Sequence, residues 1–268
     1  MKTLTTPIVV RGAGDLATGV VWRLLACGFR VVALELAEPL TVRRTVALSS
    51  AVAAGRVEVE GLVGMRVESF DEALRLSSAD DRTVPVFVSP TLPGYAYEVI
   101  VDARLAKASL DCSVEDASFV VGLGPGFVVD QHAHAVIETQ RGARLGRVLW
   151  SGSAEPNTGV PGSVGGRSGE RVLRASVSGL VRWDVEIGDV VLAGQSMGSV
   201  NGDRQRVQVV APFGGVVRGL VSSGMFARQG LKIGDVDPRL HVASNEISDK
   251  ALAIGGGVVE AVFTWLRR

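Results

Sequence analysis

The sequence predicts an α/β fold, a doubly wound parallel sheet over residues 1–150 followed by a smaller β-rich domain. Three observations lead there. Short apolar runs in the first half alternate with stretches of helical periodicity, the pattern of βαβ units. Valine occurs 45 times in 268 residues, a strand-favouring choice. Beyond residue 170, glycines and valines recur at a fixed offset with no helical periodicity.

Taken in order, Ile8–Arg11 is a strand that runs into Gly12-Ala13-Gly14-Asp15. Leu16–Cys27 carries Leu16, Val20 and Leu24 on one helical face, and Gly28 stops it. Val31–Leu34 is a second strand, and Thr41–Ala54 reads as a helix ended by Gly55. Val57, Val59 and Val63–Val67 give strand signals, and Phe70–Leu76 gives a helix. Val84–Val88, Val99–Val101 and Phe119–Val121 are further buried strands. Segment 151–169 holds six Gly, four Ser and two Pro, so it reads as an interdomain linker or an ordered loop near a site.

Domain 170–243 contains the repeat. Gly179-Leu180-Val181-Arg182, with Val185, Gly188, Gly194, Gly198 and Val200, returns 36 residues later as Gly215-Val216-Val217-Arg218, with Val221, Gly224, Gly230, Gly234 and Val236. Two such β halves should pack on each other as a small sandwich. Gly188–Val191, Gly194-Gln195 and Ala211-Pro212 resemble the barrel-sandwich fold of biotinyl and lipoyl carrier domains. The hairpin near residues 201–210 has Arg204 and Arg206 but no lysine for attachment, so neither biotin nor lipoate is expected. Segment 244–268 closes the chain as a helix, Ile247–Leu266, capped by Ser248 or Asp249. Gly255-Gly256-Gly257 inside it cost roughly 1 kcal/mol each relative to Ala, which implies close packing on the first domain.

Lys and Arg total 28, as do Asp and Glu, so the chain lacks the basic footprint of a nucleic-acid or membrane-surface binder, and neither partner is expected. Cys27 and Cys112 have no spaced partners and read as buried free thiols in a reducing cytoplasm. Met1–Thr6 has no signal-peptide pattern, and no apolar run approaches the ~20 residues of a membrane span, so a cytoplasmic location is expected.

The strongest local motif is Gly12-x-Gly14-x-x-Ala17 between a strand and a helix, with Glu35 23 residues beyond Gly12. That is the dinucleotide fingerprint of a Rossmann-like domain. Gly12 permits the turn, Gly14 lets backbone N–H groups approach a pyrophosphate, and Glu35 suits a ribose hydroxyl, favouring NAD over NADP. Asp15 stands in the same loop, where a carboxylate needs a compensating cation or serves as a cap. Arg43 and Arg44 form a candidate anion clamp. Asp102, Arg104 and Lys107 follow a strand end, as do Gly122, Gly124 and Gly126, whose N–H groups can form an anion nest. His134 paired with Glu138, together with Asp102, are the candidate proton-transfer groups. His132-Ala133-His134 offers no third ligand by spacing, so no metal site is expected.

Several of these stretches resemble the accessory proteins of selenium-dependent molybdenum hydroxylase systems. They are Arg11–Gly19, Pro39–Thr45, Val101–Arg104, Gly122–Phe127, His134–Thr139, Gly159–Gly162, Lys232–Arg239 and Ile247–Gly257. Ser244 stands where some members carry a cysteine. The resemblance implies a maturation protein for molybdenum-containing hydroxylases such as xanthine dehydrogenase. Its first domain would be similar to that of chaperones that sulfurate or insert the molybdenum cofactor. The implied ligand is a small anionic nucleotide, NAD or a molybdopterin dinucleotide. The implied partners are the hydroxylase or its cofactor-assembly proteins. Two other functions stand beside it: an NAD-dependent oxidoreductase using Glu35 and His134, and a non-catalytic scaffold.

Overall fold

β-branched runs with no polar interruption form the centre of the first unit. In the computed structural model, which describes residues 3–78, 82–105, 111–157, 159, 164–241 and 243–268, β1 (Ile8–Arg11) and β2 (Val31–Glu35) pair in parallel. α1 (Asp15–Ala26) connects them. There follow α2 (Ala51–Ala54), β3 (Arg56–Val59), β4 (Leu62–Val67), α3 (Phe70–Leu76), β5 (Thr83–Val88), β6 (Val99–Asp102), β7 (Phe119–Leu123), β8 (Ala135–Ile137) and β9 (Val148–Leu149). The sheet order is β3-β4-β5-β2-β1-β6-β7-β8-β9. The inner strands are all parallel, whereas β3 and β9 are antiparallel edges.

This corrects the expected doubly wound parallel sheet to a large mixed sheet. The β3–β4 hairpin turns on Glu60 and Gly61, both with positive φ (45° and 81°), the conformation tight two-residue hairpins need. The passages from β6 to β7 and from β7 to β8 carry no α-helix among the described residues. The expected helix Thr41–Ala54 is also corrected. Two 3₁₀ turns, Arg44–Val46 and Leu48–Ser50, precede the single turn of α2. Its first residues belong elsewhere: one unit comprises Met1–Pro39, Val46–Asn157 and Ile247–Arg268, and the other Leu40–Thr45 and Thr158–Glu246.

Alternation along the central strands covers both sheet faces. Ile8 and Val10 face α1 and α4 (Asp249–Leu266), while Val9, Val32 and Ile100 pack with residues of α3. No helix among the described residues is long and apolar enough to cross a membrane.

The second unit contains β10 (Val172–Arg174), β11 (Gly179–Trp183), β12 (Val190–Val191), β13 (Ser196–Asn201), β14 (Arg206–Val210), β15 (Gly215–Leu220), β16 (Phe226–Ala227) and β17 (Lys232–Asp237). They form two four-stranded antiparallel sheets, β10-β17-β15-β12 and β14-β13-β11-β16. A shift of 36 residues carries β11 to β15, β12 to β16 and β13 to β17, and so turns one strand order into the other. The core obeys the same shift: Val181 and Val217, Met197 and Ile233, Val200 and Val236 are buried pairs. The barrel-sandwich carrier likeness is corrected to this pair of repeat-related sheets. Gly188 and Gly194, on which the likeness rested, have φ of 105° and 75° and lie in the connections from β11 to β12 and from β12 to β13, which pass from one sheet to the other.

Candidate functional site

Because β1, β2, β6, β7 and β8 run parallel, Gly12–Asp15, Glu35, Asp102–Arg104, Gly124 and Glu138 all leave one edge of the nine-stranded sheet. Open parallel sheets present ligand sites at that carboxyl edge.

The glycine turn is built for close approach. Gly12 has φ of 96°, and a Cβ there would stand 3.3 Å from the Ala103 carbonyl. Gly14 caps α1 in an extended conformation with no side-chain hydrogen bond of its own. Its carbonyl accepts from the Thr18 amide (2.8 Å) and hydroxyl (2.9 Å), while Ala17 lies in the core. Glu35 closes this turn. Its carboxylate accepts from the Ala13 amide (2.9 Å) and the Leu36 amide (2.7 Å). Burial raises its pKa, against the two amide bonds that lower it. Glu35 thus ties β2 to the β1–α1 turn, a use different from the expected ribose contact.

Asp102 is fully buried and enclosed by arginines. Arg104 Nε lies 3.0 and 3.1 Å from its two oxygens, and Arg11 Nη1 lies 3.6 Å away. Arg11 also donates to Asp111 (2.8 Å), which Arg104 contacts as well. Two guanidinium groups and two carboxylates make a neutral network, so Asp102 holds strands together where a proton carrier was expected. Burial opposes the charge on Asp111, but hydrogen bonds from Arg11 and Arg104 outweigh it and hold its pKa below the usual carboxylate range.

His134 and Glu138 stand at opposite ends of β8. His134 pairs with Val120 near the amino edge: its amide donates to the Val120 carbonyl (2.8 Å), and its Nδ1 accepts from the Val120 amide (3.0 Å). Its ring lies 5.7 Å from that of Phe119, and burial lowers its pKa against the pull of Asp130. Glu138, 1% exposed, accepts from the Gln140 (2.7 Å) and Glu155 (2.8 Å) amides at the carboxyl edge. The expected His134–Glu138 pair is not formed.

The remaining sequence candidates serve packing or the other unit. A Cβ on Gly122 would stand 2.3 Å from the Phe127 ring, so that glycine admits an aromatic side chain. Gly124 and Gly126 have positive φ, and the Gly124 amide is spent on the Ile137 carbonyl (2.9 Å). Arg43 and Arg44 are held in the second unit, where Arg44 Nε donates to the Leu220 carbonyl (2.7 Å) and Arg43 Nη2 to that of Glu246 (3.3 Å). Lys107 and residues 160–162 lie outside the described residues.

Sequence reasoning missed Lys250. It stands in the first turn of α4, where the Ser248 hydroxyl accepts from the Ala251 amide (3.2 Å). It is half-buried, and among the described residues neither a hydrogen bond nor an ion pair reaches its ammonium. Burial and Arg141 lower its pKa, while Asp15, Glu138 and Asp249 raise it. Two of those carboxylates are engaged elsewhere: Glu138 by backbone amides, and Asp249 by Arg141 at 2.7 and 2.9 Å. Only four lysines occur in the chain, and one in the first turn of a capped helix was the available signal. No group of three metal-ligating side chains occurs among the described residues.

No family model matches the chain. A protein of Escherichia coli (strain K12), described as uncharacterized protein YqeB, is 43% identical over 259 residues, 95% of this chain and 47% of the relative. The chain therefore spans about half the length of the curated relative it matches. Among solved structures, a succinylglutamate desuccinylase/aspartoacylase from Rhodobacter sphaeroides is 19% identical over 26% of this chain and 23% of that one, with a TM-score of 0.24. The ectoine utilization protein EutE (DoeB) from Ruegeria pomeroyi is 12% identical over 86% of each chain, with a TM-score of 0.27. A succinylglutamate desuccinylase from Silicibacter sp. TM1040 is 16% identical over 88% of this chain and 87% of that one, also at 0.27. Superpositions this loose carry no argument about activity. None of these proteins is described as a molybdenum hydroxylase accessory protein. The expected family and its selenium-dependent maturation role are corrected on that finding. The oxidoreductase and scaffold alternatives gain no support from it either.

Proposed function

We propose that the carboxyl edge of the nine-stranded sheet binds a small anionic ligand, a carboxylate or phosphate, met by Lys250 and the N-terminus of α1. The observation that carries this is the half-buried Lys250 ammonium, with no ion-pair partner among the described residues, beside the α1 first-turn residue Asp15. A cation held partly out of water costs folding free energy, and such perturbed groups concentrate at functional sites. The first amides of a twelve-residue helix capped by glycine add donors and positive dipole at the same edge. A dinucleotide carries a suitable anion in its pyrophosphate, but Glu35 is committed to the glycine turn, so the reading stops at the anion. We propose a cytoplasmic location, which suits two free thiols, the buried Cys112 and Cys27, exposed where burial was expected.

Calorimetric titration of the intact chain with malonate, inorganic phosphate, ADP and NAD tests the reading. At least one anion should bind, and Lys250→Met should weaken that binding roughly tenfold or more, the scale of one charge-assisted hydrogen bond. Undiminished binding by Lys250→Met, or no binding of any of the four, contradicts it.

A further inference from the structure

We infer that the outer face of the sheet β14-β13-β11-β16 docks an extended segment of a partner protein, one that joins an aliphatic residue to acidic ones. The internal repeat carries this, because a segment of the chain covers the equivalent face of the other sheet while this face lies open.

The covered face belongs to β10-β17-β15-β12. A row across its strands is formed by Val190, Val216 and Asp237. Val217 and Val236 point into the core, so their neighbours Val216 and Asp237 point outward. Gly219 pairs with Asp235, two residues from Asp237, and shares that side. Residues 40–45, which belong to this unit, lie against it. A Cβ on Gly219 would stand 2.7 Å from the Val42 carbonyl oxygen and 2.8 Å from a Val42 methyl. Arg44 Nε ties the segment to the Leu220 carbonyl, and Val216 is 4% exposed, while Val190 at the sheet edge stays open. The chemistry is complementary: Leu40–Thr45 is apolar and basic, and the face holds the buried carboxylates Asp235 and Asp237.

A shift of 36 residues maps this row onto Phe226, Leu180 and Asn201, and Arg206 of β14 extends it. Here the row is open: Leu180 is 46% and Phe226 53% exposed. Trp183, the counterpart of Gly219, packs against the core and donates to the Val221 carbonyl (2.9 Å), so it does not cover the face. The charge is reversed. Ser199 and Asn201 stand where the other sheet has Asp235 and Asp237, and Arg182 and Arg206 share the face. Both arginines are exposed, and among the described residues neither has a hydrogen bond or ion pair, not even with Asp184 beyond the end of β11. Cross-strand neighbours on one face act together, and an exposed apolar pair beside unpaired cations suits a segment of opposite charge. Its aliphatic side chain would meet Leu180 and Phe226, and its carboxylates Arg182 and Arg206.

Nuclear magnetic resonance titration of the intact, isotope-labelled chain tests this with two synthetic peptides. One is residues 40–45 carrying Arg43→Glu and Arg44→Glu, and the other is the natural basic 40–45. The acidic peptide should shift amide signals of β11 and β16 and bind roughly tenfold more tightly than the basic one. Leu180→Thr and Phe226→Thr should each weaken it roughly tenfold. Arg182→Glu together with Arg206→Glu should reverse the preference. These side chains are exposed, and circular dichroism checks that each variant folds. Should one apolar variant fail to fold, the other and the charge reversal decide. Equal binding of the two peptides, or shifts confined to other strands, overturns the proposal. A dimer in the ultracentrifuge that Phe226→Thr dissolves overturns it in favour of a second copy of the chain. A single-stranded oligonucleotide that shifts the same signals at lower concentration overturns it in favour of nucleic acid.

Discussion

Gly255 of α4 rests on Gly19 of α1 so closely that a Cβ on Gly255 would lie 2.6 Å from the Gly19 carbonyl oxygen. From the other side, a Cβ on Gly19 would lie 2.6 Å from that of Ala251. This contact lets the first turn of α4, with Lys250, stand beside the first turn of α1. Gly257 makes a similar approach to the Gly146 carbonyl, whereas Gly256 faces open space.

The three glycines should therefore behave differently. Gly256→Ala should stabilise the protein by up to about 1 kcal/mol, because a mid-helix glycine gives way to the best helix former. Gly255→Ala should destabilise it by about 1–3 kcal/mol through overpacking. Chemical denaturation of the two variants checks the difference in sign.

The Arg11–Asp102–Arg104–Asp111 network gives a second prediction. Asp102→Ala leaves two guanidinium groups around a fully buried gap, and breaking a buried pair costs about 3–5 kcal/mol. A loss below about 1 kcal/mol in denaturant melts would show that the network does not hold β1 to β6.

Asp111 sets part of the acid sensitivity. Its folded pKa lies below the unfolded value, so its contribution is present above the unfolded pKa and is lost as pH falls through the folded one. Asp111→Asn should flatten the fall in melting temperature below about pH 4. The effect should be small, since the side chain is 53% exposed.

His134 works in the opposite direction from a salt-bridged histidine. Its folded pKa is lowered, so the unfolded chain takes up the proton first and stability drops as pH falls below about 6.5. His134→Asn should remove that part of the pH dependence, and thermal melts between about pH 5 and about pH 8 measure it.

Much of this architecture was legible residue by residue. Ile8–Arg11 and Phe119–Val121 could only be buried strands, Gly28 stopped α1, and Ser248 capped α4. The 36-residue repeat also surfaced in the strand order of the two small sheets. Tertiary competition hid the rest. Thr41–Ala54 has helical composition, yet Arg43 and Arg44 bond the second unit, and the helix survives as one turn. His134 and Glu138 have the four-residue spacing of a helix face, but a strand carries them to opposite ends. Lys250 sits in an otherwise ordinary helix start, and its meaning comes from Asp15 and Glu138, far away in sequence. The likeness to carrier domains drew on glycines that turns require.

The pH dependence of anion binding decides whether the Lys250 ammonium meets the ligand. The measurement is the affinity of the anion that binds most tightly among malonate, phosphate, ADP and NAD, titrated from about pH 8 to about pH 10, where each keeps a constant charge. Because the Lys250 pKa lies below its ordinary value of 10.5, affinity should already decline across this range, and Lys250→Met should abolish the decline. An affinity that stays flat with pH, or falls equally in Lys250→Met, would contradict the assignment of Lys250 as the cation that meets the ligand.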